Sequence, residues 1–158
     1  MVKAIPDGAH TLTPYLICRD AAKAIDFYVK AFGAKEIDRM QGDDGKIMHS
    51  TLQIGNSQLF VADECPEYGF VSPLEYKGSP VGLHLYFEDV DQAWDRATKA
   101  GAQIKMPLAD MFWGDRYGKL TDPFGHEWSL ATHKEDLTDA QIKERGEKFM
   151  KEFAGAKN

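Results

Sequence analysis

Apolar and polar positions follow two different periods along this chain, and their order predicts a β-α-β-β-β unit. A run rich in β-forming residues extends over residues 11–18, and Asp20 follows it as a candidate helix cap. The next segment carries apolar residues at helical spacing as far as Phe32, and Gly33 ends it. Three strand-like segments come next, over residues 35–40, 47–54 and 58–63. The last two flank Gly55-Asn56, a pair of turn residues that predicts a hairpin.

The same order of elements occurs a second time. Residues 15–34 align with residues 84–102 after one residue is dropped, and both segments end in Gly-Ala. A second similarity places Gly55 over Gly125, and therefore Leu59 over Ser129. The second unit is predicted to hold a helix over residues 90–100 capped by Asp89, and strands over residues 81–87, 103–106, 116–121 and 126–132. An internal duplication of this kind predicts two half-domains whose open sheets make a cleft.

Three further segments lie outside the repeated strands and helices. Residues 65–80 are rich in proline and glycine but carry aromatic side chains, so this linker is expected to pack on the surface or over the cleft mouth. Residues 107–115 are predicted to be an apolar loop, and Trp113 in it is a candidate pocket residue. Residues 138–153 form a predicted amphipathic helix with a capping box at Thr138 and Gln141, expected to dock on the body or on a partner chain.

Composition narrows the class of protein. The 158 residues fit one domain, and 43% hydrophobic content is enough for a core. The net charge of −6, without a basic cluster, argues against nucleic acid and anionic membranes as partners. The sequence shows no membrane-spanning apolar run, no signal-peptide pattern and no CxxC pair around its two cysteines, so a cytoplasmic location is expected.

The motifs resemble those of the vicinal oxygen chelate superfamily, which includes glyoxalase I, bleomycin- and fosfomycin-resistance proteins and extradiol dioxygenases. The resemblance covers about residues 10–133 and rests on the two β-α-β-β-β units, the Gly-Ala after each helix, and Asp122-Pro-Phe-Gly125 before the last strand. Phe27-Tyr28 and the segment Gly45-Lys-Ile-Met-His49 are similar to its PhnB-like subgroup. The resemblance implies an α+β fold, with tandem modules at about 10–64 and 81–133 forming a half-open barrel, and a homodimer.

Strand alternation predicts which side chains face the cleft. In the first module the predicted inward residues are Thr13, Tyr15, Ile17, Leu59, Val61 and Asp63. In the second they are Gly82, His84, Tyr86, Glu127, Ser129 and Ala131. We expect His49, on the hairpin strand before Gly55, to point to the same side.

Metal-dependent members of the superfamily hold a divalent ion on four inward His or Glu side chains. The resemblance places these positions at Thr13, Gly82, Leu59 and Ser129, none of which is a ligand of that type. The expectation is therefore that the usual metal site is absent and that no cofactor is bound. His49 and His84 are weak candidates for a different site, with Asp63, Glu64 or Glu127 as companions and Zn, Ni, Mn or Fe as the ion.

The main functional prediction is a protein that binds a small, partly aromatic organic molecule without a metal. The predicted ligand-binding residues are Tyr15, His49, Asp63, His84, Tyr86, Trp113 and Ser129. The alternative is a metal-dependent lyase, isomerase or dioxygenase of the glyoxalase kind, with His49 or Glu127 as general base. A third possibility is a metal-free enzyme in which His49 moves protons and Tyr15 or Tyr86 donates to a carbonyl oxygen.

Overall fold

The computed structural model describes residues 2–155 and contains two four-stranded sheets, three α-helices and one short 3₁₀ helix. The first unit, module 1, comprises β1 (Tyr15–Cys18), α1 (Ala21–Phe32), β2 (Lys35–Gln41), β3 (Ile47–Ile54) and β4 (Ser57–Asp63). The second, module 2, comprises β5 (Gly82–Tyr86), α2 (Val90–Lys99), β6 (Gln103–Asp110), β7 (Asp115–Thr121) and β8 (Glu127–His133). The last helix is α3 (Asp139–Gly155).

The two sheets have the same strand order, which confirms the duplication. Module 1 is ordered β1-β4-β3-β2 and module 2 is ordered β5-β8-β7-β6, with the first pair parallel and the others antiparallel. The helix caps are those that the sequence predicts: Asp20 accepts from the Lys23 backbone N–H at 3.1 Å, and Asp89 accepts from that of Gln92 at 3.0 Å. Gly33 ends α1 in the left-handed conformation, at φ 68°.

Each helix covers one face of its own sheet, and the helices also pack against each other. The buried core runs through both modules and includes Ile25, Tyr28, Leu52 and Leu130. The sheet face that lies opposite the helix in each module carries exposed rings such as Tyr15 and Tyr86, and we call it the open face. Side chains on the two open faces are therefore the ones available to a ligand.

A buried polar network joins the two modules at the turn before β8. Asp122 Oδ2 accepts hydrogen bonds from the Tyr28 hydroxyl of α1 at 2.7 Å and from Trp128 Nε1 at 2.8 Å. Its Oδ1 accepts from the backbone N–H groups of Phe124 and His126, both at 2.9 Å. Asp122 is almost completely buried, so this carboxylate closes its own turn and ties it to the other module.

His126 and Cys18 extend this network to β1. His126 Nε2 lies 3.1 Å from the carbonyl oxygen of Ile17 and 3.7 Å from Cys18 Sγ. Burial lowers the pKa of His126 and raises the pKa values of the Cys18 thiol and the Tyr28 hydroxyl. These three groups are therefore held in their uncharged forms at neutral pH.

The predicted inward face of β4 was wrong by one residue. Tyr15 pairs with Phe60, whereas in module 2 the pairing of the corresponding strands is His84 with Ser129. Ser129 therefore corresponds to Phe60 and not to Leu59. Leu59 and Val61 are buried in the core, and Asp63 uses its oxygens to accept from the backbone N–H groups of Ala21 at 2.8 Å and Ile47 at 2.7 Å.

The error comes from the two hairpin turns. In module 1, Ile54 pairs directly with Ser57 across Gly55-Asn56, whereas in module 2 Thr121 pairs with Glu127 across a longer loop. Superposing the two glycines therefore shifts the strands by one position. Because side chains alternate, a shift of one residue moves every side chain to the other face.

Two strand boundaries also differ from the prediction. The first strand begins at Tyr15 and not at residue 11, and β6 continues to Asp110 through the segment that was expected to be a loop. Pro107 lies inside β6, which is tolerated because β6 is an edge strand with irregular pairing between Met106 and Ala109.

The linker and the last helix pack on the body. Phe70 of the linker contacts the ring of Tyr15, with ring centroids 6.3 Å apart. In α3 the capping box is confirmed, since Thr138 N donates to Gln141 Oε1 at 2.9 Å, and Phe149 packs against Phe112 with centroids 5.5 Å apart. Within residues 2–155, no helix combines the length and apolar character needed to cross a membrane.

Candidate small-molecule site

The open face of module 1 carries a small aromatic cluster around His49. The ring of His49 lies 4.8 Å from that of Phe60 and 5.7 Å from that of Tyr15, both in edge-to-face contact. His49 Nε2 is also 3.5 Å from Thr51 Oγ1. The predictions that His49 and Tyr15 share this face are confirmed, and Phe60 takes the position that was given to Leu59.

The open face of module 2 carries a larger aromatic cluster, which we call the ring platform: His84, Tyr86, Trp113 and Tyr117. His84 lies 4.5 Å from Tyr86 and is stacked on Tyr117 at 5.8 Å, and Tyr117 is 5.4 Å from Trp113. Strand alternation places His84, Tyr86 and Tyr117 on the same side of adjacent or near-adjacent strands. Trp113 comes from the turn between β6 and β7.

Asp115 organises the ring platform through hydrogen bonds to two of its rings. It is only 6% exposed, and its Oδ2 accepts from the Tyr86 hydroxyl at 3.2 Å and from Trp113 Nε1 at 3.1 Å. Its Oδ1 lies 2.7 Å from Nδ1 of His133, whose Nε2 is 3.0 Å from Asp136. Tyr117 is fixed separately, because its hydroxyl lies 3.0 Å from Ser129 Oγ. The polar edges of the Tyr86, Trp113 and Tyr117 rings are thus held by the protein, and Tyr86 is the most exposed of them.

Electrostatics differ between the two histidines of this region. Hydrogen bonding to Asp115, and secondly to Asp136, raises the pKa of His133 above its usual value near 6.5. Burial lowers the pKa of His84, against the opposing effect of the Asp115 charge. His84 is therefore a neutral ring at physiological pH, while His133 holds its proton to a higher pH.

A proton-NMR titration tests this assignment. We expect the His133 ring to titrate above pH 6.5 and the His84 ring below it. Because the folded-state pKa of His133 is raised, its contribution to stability is complete below about pH 6.5 and is lost as the pH rises through the folded pKa. Asp115→Asn should move the His133 midpoint down toward 6.5. An unchanged midpoint in that variant would show that Asp115 does not hold the imidazolium.

Cavities lie beside both open faces. One of ≈ 280 Å³ is found where the modules meet, between the β3–β4 turn and β5, and is lined by Gln58, Leu83 and His84. A second, of ≈ 450 Å³, reaches His84 and Tyr86 from the same turn. A third, of ≈ 540 Å³, lies on module 1 between Tyr15, Met48 and the linker. His49 contacts Tyr15 and Phe60, whereas His84 contacts Tyr86 and Tyr117, so the two histidines belong to separate clusters.

The structure brings some of the predicted site residues together and separates others. Three of them, His84, Tyr86 and Trp113, are members of the ring platform. Ser129 contacts its fourth member, Tyr117. Strand alternation predicts this side of the sheet for His84, Tyr86 and Ser129. Glu127 is also on the open face of module 2, where its Oε1 accepts from Thr121 Oγ1 at 2.8 Å. Tyr15 and His49 lie on module 1, and Asp63 is turned toward the backbone as described above.

Sequence reasoning missed Asp115 and the role of His133. Residue 115 was included in the predicted loop over residues 107–115, and His133 was not among the predicted site residues. A useful signal was available: Asp115 has the same parity as Tyr117, so extending β7 by one residue would have placed it on the open face.

Two paired β-α-β-β-β modules with the same strand order define the class of fold to which this chain belongs. A profile of the Glyoxalase/Bleomycin resistance protein/Dioxygenase superfamily matches residues 9–130. The chain therefore belongs to this superfamily, as its motifs predict.

Relatives with known sequences or structures agree with this assignment. An uncharacterized protein of Mycobacterium bovis is 47% identical over 122 residues, covering 75% of this chain and 80% of the relative. The crystal structure of TioX from Micromonospora sp. ML1 is 29% identical, covers 79% of this chain and 99% of TioX, and has a TM-score of 0.63. A superfamily member from Sphaerobacter thermophilus is 28% identical, with a TM-score of 0.60 and coverage of 78% and 97%.

The residues at the superfamily's metal positions do not fit a divalent ion. With the corrected register these positions are Thr13, Gly82, Phe60 and Ser129. Glycine and phenylalanine side chains offer no ligand atom, and neutral hydroxyl groups are weak ligands. Within residues 2–155 there is also no group of three or more His, Cys, Asp or Glu side chains arranged to hold a metal.

Proposed function

We propose that this protein binds a planar small organic molecule on the ring platform of module 2, and that binding needs no metal ion. The observation that carries the proposal is the Asp115 hub. A buried carboxylate that fixes the edges of Tyr86 and Trp113 at 3.2 and 3.1 Å leaves their faces oriented before any ligand arrives. Rings held in this way lose little conformational entropy on binding.

The chemistry of the platform favours a flat ligand with a hydrogen-bonding edge. Tyr86 is 64% exposed, and each stacked aromatic pair contributes about 0.5–1.5 kcal/mol beyond the area that it buries. The neutral ring of His84 offers one hydrogen-bond donor and one acceptor to the cavity of ≈ 280 Å³ where the modules meet. A ligand that stacks on Tyr86 or Trp113 and extends into the space beside His84 would use both features.

The absence of suitable ligands at the four metal positions supports binding rather than Lewis-acid catalysis as the main activity. The metal-dependent alternative would need His49 and His84 in one ion site, and they lie in separate clusters on different modules. In the proposed function the protein acts by holding its ligand. In a homodimer, a second chain that covers the open faces would enclose that ligand further.

Titration with 2-naphthol, a planar probe with one hydroxyl, tests the proposal. We expect saturable binding, followed by tryptophan fluorescence and NMR, that is unchanged by EDTA. Trp113→Ala should weaken binding about ten-fold, because loss of a central aromatic anchor costs at least ~1 kcal/mol. Tyr76→Ala, which removes an exposed ring from the linker, is the matched control and should bind as the parent protein does.

Two outcomes would contradict the proposal. The first is equal loss of affinity in Trp113→Ala and Tyr76→Ala, which would show that the probe binds without using the ring platform. The second is turnover of the methylglyoxal–glutathione adduct on addition of nickel or zinc, lost in His84→Ala. That result would favour the metal-dependent lyase instead.

A further inference from the structure

A cavity on module 1 lies away from the ring platform. It has a volume of ≈ 540 Å³ and sits between the start of β3, the end of β4 and linker residues 64–70. This volume is within the range of about 300–1,000 Å³ that is usual for small-molecule pockets. Neither His84 nor Trp113 lines it, so its occupant would be separate from that of the ring platform.

The linker wall of this cavity is built by specific hydrogen bonds. Cys65 N donates to the Phe70 carbonyl at 2.8 Å, and Phe70 N donates to the Cys65 carbonyl at 3.1 Å. Between them, Pro66–Tyr68 forms a 3₁₀ turn that ends at Gly69, at φ 80°. Glu64 anchors the base of the wall, because its carboxylate accepts from Arg19 Nε at 3.1 Å and from Ser72 N at 3.0 Å.

Aromatic and polarizable side chains line the inside of the wall and the facing strands. Tyr68 is 79% exposed, and Tyr15, Phe70 and Met48 are also exposed. Tyr15 and Phe70 meet at a tilted angle of 47°, so that their faces are not stacked against each other. Ring faces carry partial negative charge and attract cations within about 6 Å of the ring centroid.

The charges around the cavity have the same sign as the ring faces. The cavity is lined by four carboxylates and one ammonium group. The carboxylates are those of Asp44, Asp63, Glu64 and Glu67, and the ammonium group is that of Lys46. The Asp63 carboxylate accepts from two backbone N–H groups, and the Glu64 carboxylate accepts from Arg19. Both carboxylates still place negative charge beside the cavity. For Glu67, the part of the chain that the structure describes supplies no ion pair or hydrogen-bond partner to its carboxylate.

From this combination we propose a second binding site on module 1, for a compact organic cation such as an aryl- or alkylammonium group. The cation stacks against Tyr15, Tyr68 or Phe70 and is attracted by Glu67, while the pocket disfavours anions of the same size. The ring platform has no comparable excess of unpaired carboxylates, because Asp115 is shared among three protein donors.

Three probes of similar size and different charge test this site in the full chain: benzyltrimethylammonium, benzyl alcohol and benzoate. We expect benzyltrimethylammonium to shift backbone NMR signals of residues 64–70 in a saturable way, with the alcohol at least about three-fold weaker and benzoate without effect. Glu67→Gln and Tyr68→Leu should each weaken benzyltrimethylammonium binding about three-fold. Glu147→Gln, which removes an exposed carboxylate from α3, is the matched control.

Cys65 provides an independent readout because it lines this cavity. The other thiol, Cys18, is fully buried and its pKa is raised by burial, so only Cys65 should react with a thiol reagent in the native protein. Benzyltrimethylammonium should slow that reaction and benzoate should not. Equal affinities for the three probes, equal effects of Glu67→Gln and Glu147→Gln, or no protection of Cys65 would each overturn the proposal.

Discussion

Replacing Asp122 with alanine should lower the free energy of unfolding by about 3–5 kcal/mol, the largest effect that we expect from a single side chain. The variant leaves the Tyr28 hydroxyl and the Trp128 indole N–H buried without their acceptor, and both lie inside the core. Each buried donor that loses its partner costs about 1–3 kcal/mol. The turn before β8 also loses the acceptor for its own backbone N–H groups. Chemical denaturation followed by circular dichroism measures the change.

Graded variants separate the parts of this network. Tyr28→Phe keeps the ring packing and removes one donor, so it should cost about 1 kcal/mol. Asp43→Asn, at an exposed position in the turn between β2 and β3, controls for loss of a carboxylate and should be close to neutral. If Asp122→Ala were as stable as Asp43→Asn, the network would not be what joins the modules.

The polar network between the modules also predicts a loss of stability in acid, because it contains the buried ring of His126. The pKa of His126 is lowered by burial, so the unfolded chain binds more protons than the folded chain between the two pKa values. Stability contributed by the neutral ring is therefore present above about pH 6.5 and falls as the pH drops below it.

Replacing Gly118 with alanine should destabilise the protein by about 1–3 kcal/mol, the usual cost of overpacking a core. A Cβ atom at this position would lie 2.4 Å from Cζ3 and 2.6 Å from Cη2 of Trp94, and 3.1 Å from the Met106 carbonyl oxygen. Gly118 lies in β7 next to Trp94 of α2, and the indole occupies the space that a side chain at this position would need. The melting temperature and the denaturation midpoint are the measurements.

Measuring the effect of Gly118→Ala in a second protein, the Trp94→Leu variant, identifies the cause of this destabilisation. In a Trp94→Leu protein the Gly118→Ala substitution should cost clearly less, because contacting residues have coupled effects. Gly78→Ala is the control, since a Cβ there meets no atom within 4 Å. Equal costs of Gly118→Ala in the two backgrounds would show that the indole is not the obstacle.

The fold was predictable because several local signals agree with one another. Asp20 and Asp89 cap helices at equivalent places, and the repeat fixes the order of strands without any knowledge of tertiary contacts. The open faces of β1, β5 and β8 follow from alternation once the helix side is known. Half of the candidate site, from His84 to Ser129, was therefore accessible from sequence.

The remaining features depend on geometry that a sequence pattern does not contain. The face of β4 was wrong because two hairpins with equivalent glycines close with turns of different length, and alternation turns that one-residue difference into a change of face. Asp122 was recognised as part of a turn, but its bonds to Tyr28 and Trp128 depend on how the modules pack. Asp115 was missed for a similar reason, since a buried carboxylate hub exists only when Tyr86, Trp113 and His133 converge from three elements.

Native mass spectrometry of the protein, incubated with cell extract and then treated with EDTA, tests whether the chain binds an organic ligand without a metal. We expect a bound organic molecule that survives chelation, is retained by Tyr76→Ala and is lost from Trp113→Ala. A mass increase that corresponds to a divalent metal, or an organic ligand that leaves when the metal is removed, would contradict this expectation.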